Sequence, residues 1–230
     1  MTLTRFGLKE WGSSLLIALV LIVIFAVIAV KVSLHVGVAL VILTFTAWCA
    51  VAAFFRNPGR VIPDDPKLIV SPADGVVKDI EMIENHGLEL FGDRPVIRIG
   101  VFLSIFDVHL NRIPSKLIVK YKNYRKGRYL DARSQESARK NEAMTIGGVA
   151  VIGDYKFPLA VRQISGALAR RIVCPVTEGD MLERGSIYGM IKFGSRTELY
   201  IPAEEESFEV LVKVGDRVLA GASSMAKLRK

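Results

Sequence analysis

Three short segments carry side chains that could do chemistry together. Ser71-Pro72-Ala73-Asp74-Gly75 follows a β-branched run and puts a carboxylate in a tight turn. Ser104 to Pro114, SIFDVHLNRIP, sets His109 among charged neighbours where strand character gives way to a turn. Phe193-Gly194-Ser195-Arg196 places a hydroxyl directly after a glycine. A neutral imidazole can take a hydroxyl proton near neutral pH. A carboxylate can orient that imidazole and stabilise its cation. A glycine before the serine leaves room for close approach to its carbonyl. Asp74, His109 and Ser195 are therefore candidates for such chemistry, no more, when read from residue type alone. Singly, each also has an ordinary structural reading: an Asp-Gly turn, a packed histidine, a Gly-Ser loop pair. The remaining histidines, His35 and His86, read as turn residues.

Composition narrows the chemistry further. Two cysteines, Cys49 and Cys174, exclude a disulfide-dense scaffold and a four-Cys zinc site, and three histidines leave little room for a His-based one. No metal is expected. The chain has 230 residues, 51% of them apolar, which fits one or two domains with a real core and not a disordered chain. The net charge of +8 points to an anionic partner. No nucleic-acid motif accompanies it, so a lipid surface is the better reading. Lys116, Lys120, Lys122, Arg125, Lys126, Arg128, Arg133, Arg139 and Lys140 form the main basic stretch.

The mean hydropathy of +0.35 is high for a soluble domain, and the excess lies at the N-terminus. Leu15 to Val30 is unbroken apolar sequence, and Val36 to Phe55 is nearly so, with Lys31 to His35 between them. About 20 residues are needed to cross a hydrocarbon core, and each run approaches that length. A cleaved signal peptide is the competing reading, disfavoured because a second apolar run follows directly and no small-x-small site separates them. Arg5, Lys9, Arg56 and Arg60 flank the pair, while the turn holds only Lys31. The positive-inside tendency then places both ends in the cytoplasm, on the inner face of the cell membrane. A hairpin that dips into one leaflet is the alternative. The expected organisation is a hydrophobic hairpin over 1–55, a Pro- and Gly-rich linker over 56–67 and a catalytic domain over 68–230.

Beyond the linker, short β-branched runs alternate with turn residues, which predicts a mostly antiparallel β domain. Asp131 to Ala143 reads as loop or short helix, and Ser165 to Arg171 is a second helical candidate. An internal echo is present: Gly179-Asp180-Met181-Leu182-Glu183-Arg184-Gly185 and Gly215-Asp216-Arg217-Val218-Leu219-Ala220-Gly221 both read G-D-x-φ-x-x-G, with φ apolar. This pattern resembles the turns of lipoyl-type barrel-sandwich domains.

Together the segments resemble phosphatidylserine decarboxylase in its short form. VSPADGVV, FLSIFDVHLNRIP, the KGRYLDA and KNE segment, VRQISGALARRIV and GDMLERGSIYGMIKFGS occur in that family's order, over roughly residues 55 to 220. The resemblance implies that the chain cuts itself between Gly194 and Ser195 without hydrolysis. Ser195 attacks the Gly194 carbonyl, His109 takes its proton and Asp74 orients the imidazole. The products are chains 1–194 and 195–230, held as a heterodimer that could assemble further. Ser195 becomes an N-terminal pyruvoyl group, the covalent cofactor. That group forms a Schiff base with phosphatidylserine, and loss of carbon dioxide yields phosphatidylethanolamine. Two departures stand out. Longer members have two histidines three apart where this chain has His109 and Arg112, so Asp107 or Arg112 could share the base's work. Arg196 stands where many relatives have threonine. A decarboxylase of a different serine lipid, such as archaetidylserine, would share these segments. An uncleaved membrane-attached barrel-sandwich binding module would share only the repeated turns.

Overall fold

The computed structural model describes the chain except for Arg133, residues 168–170, Phe193, residues 204–206, Lys230 and the side chain of Gln135. It forms two compact units, Met1–Gly59 and Arg60–Lys230.

In the first unit, α1 (Leu8–Lys31) and α2 (Leu34–Phe54) form an antiparallel hairpin. Their most apolar windows have mean hydropathies of 3.1 and 2.2, and only 6% and 11% of those windows is buried within the protein. A helix that is apolar all round and uncovered has no face suited to water. At 1.5 Å per residue, the 24 residues of α1 reach about 36 Å, enough for a core of about 30 Å. The connection is shorter than the expected Lys31 to His35. Ser33 takes an extended conformation ahead of α2, so Leu34 and His35 are already helical. A Cβ on Gly37 would lie 2.4 Å from Ala29, so the helices approach through small residues. Thr2–Leu3 pairs with Arg56–Asn57, the Thr4 N–H donates to the Phe55 carbonyl at 2.9 Å, and Trp11 Nε1 donates to the Thr4 carbonyl at 3.0 Å. The hairpin's two ends meet, which puts them on one side of any bilayer it crosses.

The second unit is mostly β. Its main sheet curls into a half-barrel of eight antiparallel strands, in the order Met181–Leu182, Leu117–Arg125, Ala143–Ile152, Tyr155–Ser165, Ser195–Pro202, Val96–Leu103, Gly75–Ile83 and Arg217–Val218. One small sheet joins Arg171–Val173, Ile187–Lys192 and Leu110–Arg112, and another joins Phe208–Val210, Ser224–Leu228 and Leu68–Val70. Ile99, Val101, Leu117, Val119, Leu159, Val161, Leu199 and Met225 meet in the enclosed core. Asp131 to Ala143 contains α3 (Gln135–Lys140), started by Ser134, whose Oγ accepts the Ser137 N–H at 3.2 Å. The helix expected over Ser165 to Arg171 is not formed at its described ends. Ser165 closes one strand and Arg171 opens another, and residues 168–170 lie outside the described residues.

The repeated G-D-x-φ-x-x-G segments are bonded alike. In each, the first glycine has φ near +95°, a conformation that favours glycine. Gly179 N–H donates to Val119 O and Gly215 N–H to Val77 O, both at 2.9 Å. Asp180 Oδ2 accepts the Thr177 N–H, and Asp216 Oδ2 accepts the Lys213 N–H. Gly185 N–H donates to Ile113 O and Gly221 N–H to Ser71 O, both at 2.8 Å. The two turns thus clamp the Asp74 segment and the His109 segment to the barrel in equivalent ways.

Ser195–Pro202 lies at the centre of the large sheet, and every residue in it is buried. Side chains alternate along a strand. Ser195, Thr197, Leu199 and Ile201 therefore share one face, and Leu199 and Ile201 belong to the core. Arg196, Glu198 and Tyr200 occupy the other. Arg196 forms two bonds to Asp79, at 2.6 and 2.7 Å, and its Nε donates to Glu198 at 3.0 Å. Gly100 leaves the space, since a Cβ there would lie 2.2 Å from the guanidinium. Burial works to lower the Arg196 pKa, but Asp79 and Glu198 outweigh it and hold the group above its ordinary value. Arg196, the residue after Ser195, is thus the centre of a buried ion network.

Removing one partner of such a network strands the others without solvent. Arg98 lies 3.3 Å from Asp79 and can compensate in part. Arg196→Met should therefore destabilise the fold by about 3 kcal/mol, the low end for breaking a buried pair. Chemical unfolding in detergent would measure it, and a loss below about 1 kcal/mol would show that Arg98 suffices.

Candidate active site

Ser195 opens the central strand, paired with Leu103 on one side and Ser165 on the other. It is fully buried, and its Oγ has no hydrogen-bond partner among the described residues. An unpaired buried hydroxyl costs on the order of 1–3 kcal/mol, so one retained in a packed strand calls for a chemical reason. Gly194 has φ +63°, which reserves the position for glycine. A Cβ on Gly166 would lie 2.3 Å from the Gly194 carbonyl oxygen. Bare backbone at 166 therefore lets the chain pass against the very carbonyl that Ser195 would attack.

His109 is buried immediately before the Leu110–Arg112 strand, and its carbonyl accepts the Ile191 N–H at 3.2 Å. The imidazole Nδ1 lies 2.9 Å from the Asp107 carbonyl oxygen, and Nε2 lies 3.2 Å from the Gly194 backbone nitrogen. The carbonyl can only accept and the amide can only donate. Together they select the neutral tautomer with its proton on Nδ1 and a lone pair on Nε2. That lone pair faces the residue just before Ser195.

A buried polar rivet fixes this arrangement. Asn111 Nδ2 donates to Thr197 Oγ1 at 3.0 Å, and Gln163 Nε2 donates to Asn111 Oδ1 at 2.8 Å. Asn111 stands two residues after His109, Thr197 two after Ser195 and Gln163 two before Ser165, so the three strands are pinned beside the candidate residues. The Asn141 side chain donates to the Ser165 carbonyl at 2.7 Å and exchanges bonds with Leu130. Nothing in the sequence alone assigned roles to Asn111, Gln163, Asn141 or Gly166, although all four lie in the segments KNE, QISG and HLNR.

Asp74 is buried one strand-turn away. Its Oδ2 pairs with Arg60 at 2.6 Å and its Oδ1 accepts the Ala220 N–H at 2.8 Å. The Asp107 carbonyl oxygen, 2.9 Å away, partners His109 Nδ1, while the Asp74 carboxylate is bonded to Arg60 and Ala220. Burial raises the Asp74 pKa above the usual carboxylate value, opposed by Ala220 and Arg60, with nearby Asp107 adding to the rise. The folded chain thus holds this proton to higher pH than the unfolded one. Ionising Asp74 costs stability as pH climbs from the ordinary carboxylate value through the raised one. Arg112 donates to the Gly185 carbonyl at 2.9 Å, and burial, then Arg60, lowers its pKa while Asp74 opposes. The Asp107 carboxylate accepts the Ser104 N–H at 2.8 Å and pairs with Arg217.

Residues 49–226 match the family model for phosphatidylserine decarboxylase. The chain belongs to the phosphatidylserine decarboxylase family. Asp74, His109, Gly194 and Ser195 all fall within the matched residues. The chain is 45% identical over 188 residues to the phosphatidylserine decarboxylase proenzyme of Carboxydothermus hydrogenoformans, covering 82% of this chain and 84% of that one. It is 40% identical over 185 residues to the proenzyme of the same name from Saccharopolyspora erythraea, covering 80% and 75%. The Geotalea uraniireducens proenzyme is 36% identical over 203 residues, covering 84% and 91%.

The basic stretch is less uniform than its sequence. Lys122 Nζ donates to the Cys174 and Val176 carbonyls, Arg125 donates to those of Ala138 and Asn141, and Lys116 and Lys140 pair with Glu183 and Glu136. Lys120, Lys126, Arg128 and Arg139 are exposed, and Arg133 lies outside the described residues.

Proposed function

We propose that this chain is a membrane-anchored proenzyme that cuts itself between Gly194 and Ser195 and then decarboxylates phosphatidylserine to phosphatidylethanolamine. The observation that carries the reading is the unpartnered, buried Ser195 hydroxyl on the residue next to the amide that His109 Nε2 accepts. Ser195 Oγ attacks the Gly194 carbonyl carbon, and the proton passes to Nε2. The amide bond breaks, leaving an ester and a free amine on residue 195. Loss of the residue 195 Cα proton expels the Gly194 carboxylate, and water replaces the nitrogen, which leaves as ammonia. The 1–194 chain then ends in a carboxylate and the 195–230 chain begins with a pyruvoyl group.

The site fits that group. The hydroxyl that would give rise to it has no hydrogen-bond partner among the described residues, and bare backbone at Gly166 faces the Gly194 carbonyl. A pyruvoyl carbonyl supplies an electron sink for the charge left when carbon dioxide departs. His109, freed of its first proton, is placed to return a proton during turnover. The Asn111–Thr197–Gln163 rivet holds the cut strand end in register, so the two products stay one folded unit. The test is the release of labelled carbon dioxide from carboxyl-labelled phosphatidylserine, with phosphatidylethanolamine as product.

The hairpin is proposed to anchor the enzyme at the cytoplasmic face, with anionic lipid attracting the exposed lysines and arginines. Deleting residues 1–55 leaves Asp74, His109 and Ser195 in place. The truncated chain should self-cleave, yet most of it should stay in the supernatant when vesicles are pelleted. What still pellets should decrease as salt rises, because ions screen surface charge within about 10 Å at 0.1 M. Full pelleting in high salt would show that the hairpin is not the main anchor.

A further inference from the structure

We propose that the Ser104–Asp107 turn docks the β unit onto the bilayer, with Phe106 and Ile105 entering the lipid. The apolar cavity behind the turn then takes the glycerol and upper acyl carbons of the lipid being processed. This rests on the reading that the site acts on phosphatidylserine.

The turn is rigid and apolar at its tip. Asp107 N–H donates to Ser104 O at 3.0 Å, Ser104 N–H to Asp107 Oδ2 at 2.8 Å, and Phe106 N–H to Ser104 Oγ at 3.2 Å. Arg217 fastens the Asp107 carboxylate from another strand. This framework holds Phe106 at 79% exposure and Ile105 at 47%. A single exposed apolar side chain is commonplace. Two adjacent ones on a braced turn, continuous with an apolar cavity, form a directed surface.

The cavity, about 470 Å³, is walled by Phe102, Leu103, Ile105, Ala132 and Ala167 and reaches Gly194. Ile105 stands over the bond to be cut, its Cγ2 lying 4.0 Å from where a Gly194 Cβ would be. The Lys78 ammonium sits 5.8 Å above the Phe102 ring and gives the rim a positive charge suited to an anionic lipid surface. The same segment also carries the base. Phe106 and His109 are three residue steps apart, a reach of at most about 11 Å. Apolar side chains of interfacial segments enter the boundary by about 5–10 Å. A buried tip would therefore hold His109 level with the head groups, where the serine carboxylate lies.

The test uses the full chain with Phe106→Ser and Phe106→Trp. The readout is the ratio of turnover on phosphatidylserine vesicles to turnover on monomeric dihexanoyl phosphatidylserine. Phe106→Ser should self-cleave fully while this ratio falls roughly tenfold, as expected for losing one buried aromatic side chain. Phe106→Trp should keep the ratio and add blue-shifted emission to that of the parent on vesicles. An unchanged ratio in Phe106→Ser, or water-like added emission in Phe106→Trp, would overturn the proposal. Loss of a dimer in Phe106→Ser with an unchanged ratio would instead assign the tip to a second copy. If the parent releases carbon dioxide from neither lipid, the decarboxylase reading fails, and the emission still decides whether the turn enters lipid.

Discussion

Ser195→Ala should accumulate as a single uncut chain and release no carbon dioxide from phosphatidylserine. In the proposed reaction Ser195 is needed twice: its oxygen makes the ester, and its carbon skeleton becomes the pyruvoyl group. Removing it eliminates the attack outright, so no slower route through the same residues remains. The fold should survive, because the lost atom has no hydrogen-bond partner among the described residues and the strand keeps its backbone pairing to Leu103 and Ser165. The alanine chain should be slightly more stable, since an unsatisfied buried hydroxyl is gone. Ser195→Thr retains the nucleophile, but its methyl group crowds a fully buried position. It should process slowly and leave a 2-ketobutyryl group. A gel read beside a labelled-carbon-dioxide assay separates these outcomes. Full cleavage of the alanine chain would remove Ser195 from the chemistry.

His109→Ala should slow self-cleavage by about 10²–10⁴-fold, the usual contribution of a positioned general base. The variant removes the nitrogen that accepts the Gly194 N–H beside Ser195, the atom proposed to take the hydroxyl proton. His86 is the matched control. Its Nδ1 accepts the Leu88 N–H and its Nε2 donates to the Arg94 carbonyl, so it staples a turn. His86→Ala should cut at the normal rate with slightly reduced stability. The time course of the two product bands measures both variants. A normal rate in His109→Ala would confine the imidazole to a possible part in decarboxylation.

The candidate groups were legible in the sequence, and the residues that support them were not. Ser195 and His109 stood out because a Gly-Ser pair and a lone strand-end histidine occur within ordered motifs. The G-D-x-φ-x-x-G turns were legible because glycine and aspartate are demanded by local backbone geometry, which sequence reports directly. Arg196 was legible only as a departure from threonine. Its partners Asp79 and Glu198 are distant in sequence, and charged residues ordinarily read as surface. The alternation of Arg196, Glu198 and Tyr200 against Ser195, Thr197 and Leu199 was the available signal that this strand has two buried faces. The Nδ1 partner of His109 is a main-chain oxygen, which no residue type advertises. The strand pairing of Thr2–Leu3 with Arg56–Asn57 is equally silent, because two-residue strands carry no periodicity. At the described ends of the stretch expected to be helical, Ser165 and Arg171 are strand residues, and Gly166 passes against the Gly194 carbonyl.

The central claim is that this chain makes its own catalytic group by cutting itself at Gly194–Ser195. The intact mass of catalytically active protein under denaturing conditions tests it most directly. Two chains are predicted, residues 1–194 and 195–230, the second lighter by one ammonia than a serine-ended peptide and closed to Edman chemistry. A single 230-residue species in an active preparation, or a 195–230 chain with a free serine, would contradict the account.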